Sequence, residues 1–185
     1  VRYVQMLAGD HWAMARDAQM RAFLACIAVL VGVTAVTLWR TLDKGAEPAL
    51  RAALFNITSI ISGTGYASAD YMLWGSFMVP VFFFIGLIGG CAGSTACSVK
   101  IFRYQILFAS VRQQLQRIRS PHGVFVARFD GRKISDDVLS SVMSFFAFFV
   151  VTLGLFAVAL ALTGLDFVTA LSGAAAAIGN IGPGL

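Results

Sequence analysis

Residues 49–66 read ALRAALFNITSIISGTGY, and their interpretation decides the architecture. The run 49–61 is apolar and helix-compatible, but at about 1.5 Å per residue it reaches only about 20 Å, short of a bilayer core of about 30 Å. It passes into SGTGY (62–66), then into polar ASAD (67–70), and a second apolar block starts at Tyr71. A short apolar helix, a glycine turn and a prompt return is the pattern of a re-entrant segment. Irregular backbone at membrane depth is tolerated only where protein buries it or where it lines a water-filled cavity.

Working outward, residues 22–39, AFLACIAVLVGVTAVTLW, are apolar for about 27 Å of helix and close on Trp39 and Arg40, an interfacial pair. Residues 41–51 are a charge-balanced loop in which Pro48 suits the first turn of the short helix. Near the other end of the sequence the arrangement recurs. Ser135, Asp136 and Asp137 suit a helix start, and a Phe- and Val-rich span follows over 138–163. Thr163, Gly164 and Asp166 make a turn into a second short helix, FVTALSGAAAAI (167–178), which ends in GNIGPGL (179–185). Gly65 and Gly182 are 117 residues apart, one complete repeat with its connection. Repetition of this kind places a pore or transport path at the repeat interface.

Composition agrees. Of the 185 residues 58% are hydrophobic and only 12% charged, about half the charged share usual in soluble domains, with a mean hydropathy of +0.80. Net charge is +5, and eleven of the fourteen Lys and Arg fall in 1–21 and 100–133. Those two segments share a side if two crossings separate them, and the positive-inside rule makes that side cytoplasmic. Arg40, Lys44 and Arg51 lie opposite, so both short helices dip in from outside. The basic run Lys100, Arg103, Arg112, Arg117, Arg119, Arg128, Arg132 and Lys133, opposed only by Asp130, has no recognition motif that would make it a nucleic-acid surface. Cys26, Cys91 and Cys97 are odd in number and have neither a disulfide framework nor metal-ligand spacing; His11 and His122 are isolated. No signal peptide is visible, and the sequence reads as cut at both ends.

The block from Tyr71 breaks at GGCAGSTACS (89–98) before helical character resumes at Val99. Glycines and small polar residues interrupt a helix in mid-membrane, although close helix packing through small residues has the same composition. Without a preceding strand or a following Gly-Lys-Ser/Thr, the block is not a phosphate loop. A short helix leading into an extended glycine-containing stretch presents carbonyl oxygens in place of an ion's hydration shell, and the helix C-terminus adds partial negative charge. SGTGY supplies carbonyls and hydroxyls and no Lys or Arg, which suits a cation. Asn56, Thr58, Ser62 and Asn180 could brace these stretches or be ordinary packing residues. A secondary transporter with broken helices shares the interruptions, but these spans hold no acidic residue. An intramembrane enzyme needs a catalytic pair at membrane depth, for which Lys100 beside Ser94 and Thr95 is the one candidate.

SGTGY followed by ASADY, then GGCAGST, an acidic turn and a terminal GNIGPGL resembles the Trk/Ktr/HKT superfamily of potassium uptake proteins, closest to its bacterial TrkH branch. The likeness runs from RDAQMR (16–21) to Leu185. It implies an all-α membrane protein of K⁺-channel-like repeats (helix, re-entrant pore helix with filter loop, helix), here the third repeat and the first part of the fourth. The implied organisation is a cytoplasmic lead-in (1–21), then a third repeat (22–116) with span 22–40, pore helix 49–61, filter 62–66 and broken span 71–116. A basic cytoplasmic connection (117–135) precedes a partial fourth repeat (136–185) with span 138–163, pore helix 167–178 and filter 179–183. Ser62, Gly63, Thr64, Gly65 and Tyr66 would form one filter strand and Asn180, Ile181 and Gly182 the other, flanked by Pro183. Gly89, Gly90, Cys91, Ala92, Gly93, Ser94 and Thr95, within the loop 89–98, would form a gate below the filter.

By the same resemblance K⁺ is the transported ion, with Na⁺ permeation the alternative, and the chain has no cofactor and no enzymatic activity. The implied setting is the bacterial inner membrane, as a homodimer in the lipid bilayer with a cytosolic nucleotide-binding regulatory subunit, for which 100–133 is a docking candidate. Two departures stand out: Ala96, Cys97 and Ser98 replace a run of glycines, and Gln19 replaces an acidic residue before Arg21.

Overall fold

The structure, a computed structural model, describes residues 4, 9, 12, 16–41, 45–96, 98–120 and 123–182. Arg2, Asp10, His11, Asp43, Lys44, Cys97, His122 and Pro183 lie outside the described residues.

Helix α1 (Ala18–Thr41) starts four residues before the apolar block, because the Asp17 carboxylate accepts from the Gln19 and Met20 amides and caps it. α1 and a later helix, α5 (Asp136–Ala161), are long and apolar enough to cross a bilayer. The short helix α2 (Ala46–Ser62) begins three residues earlier than its apolar run, with Pro48 in its first turn and Glu47 paired to Arg51 one turn on. α1 and α2 pack through residues at helical spacing: Phe23, Ile27, Val31 and Leu38 from the first, Ala49, Ala53, Ile57 and Ile60 from the second. Ala49 and Ala53 are fully buried, and their small side chains let the backbones approach closely.

The apolar block from Tyr71 is not one helix. A 3₁₀ turn (Tyr71–Trp74), with Asp70 accepting from the Met72 amide, ends at Gly75, whose φ of 104° no helix accommodates. Only then does α3 (Met78–Leu87) begin. Tyr71 stacks on Phe82 at 4.4 Å and Trp74 meets the same ring edge-on, so the turn folds back on α3 and closes the core. Ile181, from far along the chain, is buried in this same core.

At 88–100 the chain forms a compact loop with a pinched neck. Strand β1 (Ile88–Gly89) pairs in parallel with β2 (Val99–Lys100), in register Ile88 to Val99 and Gly89 to Lys100, and the Ile101 amide donates to the Gly90 carbonyl. Helix α4 (Ile101–Arg119) carries the basic run away from the neck. The connection that follows contains a hairpin absent from the sequence reading: β3 (Arg128–Phe129) and β4 (Arg132–Lys133) are antiparallel around Asp130 and Gly131, both at positive φ. Asp-Gly is the dipeptide such a two-residue turn favours. Ile106, Ala127, Ile134 and Val142 form a second small core that seats the hairpin against α4 and α5. Across that junction the Arg103 guanidinium lies 3.8 Å from the Phe145 ring centre. Ser135 stands at the start of α5, but its side chain makes no capping bond.

The final described helix, α6 (Phe167–Gly179), returns along α5 and is capped by Asp166, which accepts from the Val168 and Thr169 amides. Among the described residues the fold is thus all-α with two short strand pairs, arranged as two units, each a membrane-length helix followed by a re-entrant one.

Candidate functional site

Both re-entrant helices end in the same way. α2 stops at Gly63 in the left-handed conformation, with the Gly63 amide donating to the Ile60 carbonyl and the Thr64 amide to that of Ser59. α6 stops at Asn180, also left-handed, with the Asn180 amide donating to Ala177 and the Ile181 amide to Ala176. Donors, acceptors and left-handed residues correspond at the offset of 117 residues, and Gly65 and Gly182, both at positive φ, extend the match. Left-handed backbone suits Gly and is tolerated by Asn, which accounts for both residue choices.

This cap sets the direction of the carbonyls that follow. In a planar trans peptide the N–H of one residue opposes the C=O of the residue before it. The Thr64 and Gly65 amides both donate back to the Ser59 carbonyl, at 2.9 and 3.3 Å, so the Gly63 and Thr64 carbonyls face away from the helix end. The Ile181 amide turns the Asn180 carbonyl away from α6 in the same manner. The Ser62 hydroxyl lies 2.7 Å from that of Thr64 and donates to Ser59 O, which ties the stretch to the last turn of α2. Tyr66 is largely exposed.

Asn56 holds the returning strand. It is fully buried; its amide nitrogen donates to Ala52 O and Ser68 Oγ, and its carbonyl oxygen accepts from the Ser68 amide at 3.1 Å. Residues 62–68 are therefore fixed at both ends against one helix. Ser68, not singled out by the sequence, is the second half of this clamp. Thr58 and Ser62 line an open hollow of about 480 Å³ on the outer face of α2, with Arg51, Phe55 and Tyr66 on its walls.

In the loop 88–100, Gly89 and Gly90 are buried in the neck, Cys91 is half-buried, and Ala92, Gly93, Ser94 and Thr95 form an exposed head. Gly90 has no room for a side chain: a Cβ there would lie 2.7 Å from Ser94 Oγ and 2.8 Å from the Ala96 Cβ. Lys100 reaches back across the loop, its ammonium donating to the carbonyls of Ser94 (2.8 Å) and Ala96, while the Ser94 hydroxyl donates to Cys91 O at 2.7 Å. This is the Ser–Lys pair of the sequence, arranged as a loop tie: the serine proton is directed at a carbonyl and the amine donates. Gln19, at the start of α1, accepts from the Ala92 amide through Oε1, so the oxygen that an acidic residue would supply is retained. Neither Lys100 nor Gln19 had a loop role in the sequence reading, because their partners lie across a turn or 73 residues away.

A family model described as TrkH, cation transport protein, matches residues 12–185. The Trk system potassium uptake protein TrkI of Halomonas elongata is 41% identical over 187 residues, an alignment covering 100% of this chain and 37% of that protein. The TrkH protein of the same organism is 30% identical over 170 residues, 92% of this chain and 35% of the relative. The crystal structure of the potassium transporter TrkH from Vibrio parahaemolyticus superposes with a TM-score of 0.93 at 27% identity, covering 100% of this chain and 40% of that one. The chain thus spans a little over a third of the length of the curated relatives it matches.

Proposed function

Since the chain belongs to the TrkH family of cation transport proteins, we propose that it supplies two of the filter strands and the gate of a four-repeat pore for potassium uptake. The parent protein works in the bacterial inner membrane as a homodimer with a cytosolic nucleotide-binding regulatory subunit. The carbonyls of 62–66 and 180–182 replace the hydration shell of K⁺, and the C-terminal ends of α2 and α6 add partial negative charge. Gly65 and Gly182 are the filter glycines, each at a backbone angle that a side chain resists. The loop 89–98 is the gate: its neck is fixed by strand pairing, and its head is tied by Lys100, by Gln19 and by the Ser94 turn onto Cys91.

One observation carries this reading. Two helix ends 117 residues apart carry the same cap and turn the next carbonyls away from the helix. The names of the relatives, Trk system potassium uptake proteins, point to K⁺ as the ion.

The test uses the full-length parent protein in bacteria lacking their own potassium uptake. Wild type restores growth at limiting K⁺ and takes up rubidium, whereas Gly65→Asp, inserted at matched levels, does neither. Rubidium uptake by Gly65→Asp equal to wild type removes 62–66 from the permeation path. Failure of a normally inserted wild type to take up rubidium removes the K⁺ assignment in favour of Na⁺ or a coupled substrate. Deletion of residues 89–92 abolishes regulated flux if the loop is the gate and leaves it unchanged if it is not.

A further inference from the structure

Ser98 stands where three elements meet. It is the residue before β2, with φ 59°, a left-handed conformation that an L side chain adopts only under constraint. Its hydroxyl donates to the Gly86 carbonyl at 2.6 Å, and the Gly179 carbonyl lies 3.4 Å from the same oxygen. Each of these carbonyls belongs to the last turn of a helix, Gly86 in α3 and Gly179 in α6. Carbonyls in a last helical turn have no partner within the helix and carry its partial negative charge. The intervening space is closed. A Cβ on Gly179 would fall 2.7 Å from Ser98 Oγ, and one on Gly86 would fall 3.0 Å from Ile181 Cδ1. One hydroxyl, with a single proton, therefore sits between two acceptors at two helix C-termini, one of them immediately before Asn180.

We propose that Ser98 is a positioning residue that couples the loop 89–98 to the second re-entrant helix: its hydroxyl, shared between the Gly86 and Gly179 carbonyls, holds the loop in its folded, closed arrangement against the end of α6. This rests on the pore-and-gate reading above. In this left-handed conformation the Ser98 hydroxyl reaches both helix ends while β2 stays in register with β1. Movement of the loop then requires the proton to leave Gly86 or the contact with Gly179 to break. The second strand thereby senses the position of the loop.

The experiment uses the full-length parent protein in liposomes without its regulator, comparing wild type with Ser98→Ala and Ser98→Gly. Two quantities are read: rubidium flux, and the rate at which Cys91 reacts with a thiol reagent when every other cysteine has been replaced. Alanine removes the hydroxyl and keeps the strained backbone; glycine removes both. The expected result is that both variants raise flux and labelling by about fivefold, the equilibrium change worth one net hydrogen bond. Wild-type values in both variants overturn the coupling. So does a change in Ser98→Gly alone, which assigns the effect to backbone strain. If Gly65→Asp in the same liposomes conducts like wild type, the permeation reading fails instead, and the labelling rates of the two Ser98 variants still decide the coupling.

Discussion

Asn56 is one polar side chain in an apolar core, and it meets that cost by spending both ends of its amide on residues 52 and 68. Replacing it with alanine leaves the Ser68 amide and hydroxyl without their partner, at a cost of about 1–3 kcal/mol. Asn56→Ala is expected to lower the thermal unfolding temperature of the detergent-solubilised parent and to reduce rubidium uptake, because the strand after 66 is released. Unchanged uptake at matched expression would show that the clamp does not position the 62–66 stretch. Asp166 gives a pH-dependent counterpart. Hydrogen bonds from Thr169, by side chain and amide, hold its carboxyl below the ordinary value of 3.8. A depressed acid contributes stability in full above its unfolded value and loses it as pH falls through the folded one. Hydrogen exchange at the 168 and 169 amides should therefore stay slow down to the ordinary carboxylate range and accelerate below it. In Asp166→Ala exchange should be fast throughout, and a wild-type exchange profile in that variant would remove the carboxylate from the cap.

At the scale of elements, the loop 88–100 depends on the absence of a side chain at Gly90. Gly90→Ala places a methyl against Ser94 Oγ and the Ala96 Cβ, an overpacking that costs about 1–3 kcal/mol and forces the head off the neck. Regulator-independent rubidium flux should rise while Rb⁺ over Na⁺ preference is kept, because 62–66 and 180–182, the proposed filter stretches, are elsewhere; flux identical to wild type would mean that the head is not held by this contact. How far the elements were legible depends on the range of the signal. The helices of both units follow from apolar length, and both re-entrant ends follow from glycine after a short helix. The pinched neck did not follow, because a parallel pair between 88–89 and 99–100 is set by closure of the chain and not by any periodicity in two residues. The division of the 71–88 block came from a single residue, Gly75, whose angle the apolar run concealed. The hairpin at 128–133 carried its Asp-Gly signal openly, but the three cations around it, Arg128, Arg132 and Lys133, read as part of a charge run. Ser98 was legible as part of the loop, whereas its acceptor on Gly179 lies 81 residues away.

For the whole molecule, the distribution of charge makes the sharpest demand. α1 and α5 are each long enough to cross, at about 1.5 Å per residue for 24 and 26 residues, and neither has an acidic residue in mid-span. Outward-facing Phe148, Val151, Leu155 and Val158 on α5 suit lipid or neighbouring apolar helices, not water. By the positive-inside rule the basic end of α4 and the 128–133 hairpin are expected on the side that retains Lys and Arg, with the turns at 45 and 163 opposite. The Arg103–Phe145 contact ties the first turn of α4 to the third turn of α5. Single cysteines at Gly45, Ser120 and Thr163, in the full-length parent with its native cysteines replaced, test the arrangement with a membrane-impermeant thiol reagent. In intact cells Gly45→Cys and Thr163→Cys should label and Ser120→Cys should not, and Ser120→Cys should label once the membrane is opened. Labelling of Gly45→Cys and Ser120→Cys from the same face would require an even number of crossings between them. The single passage through α3, the loop and α4 would then be wrong, and both re-entrant helices could not enter from one side.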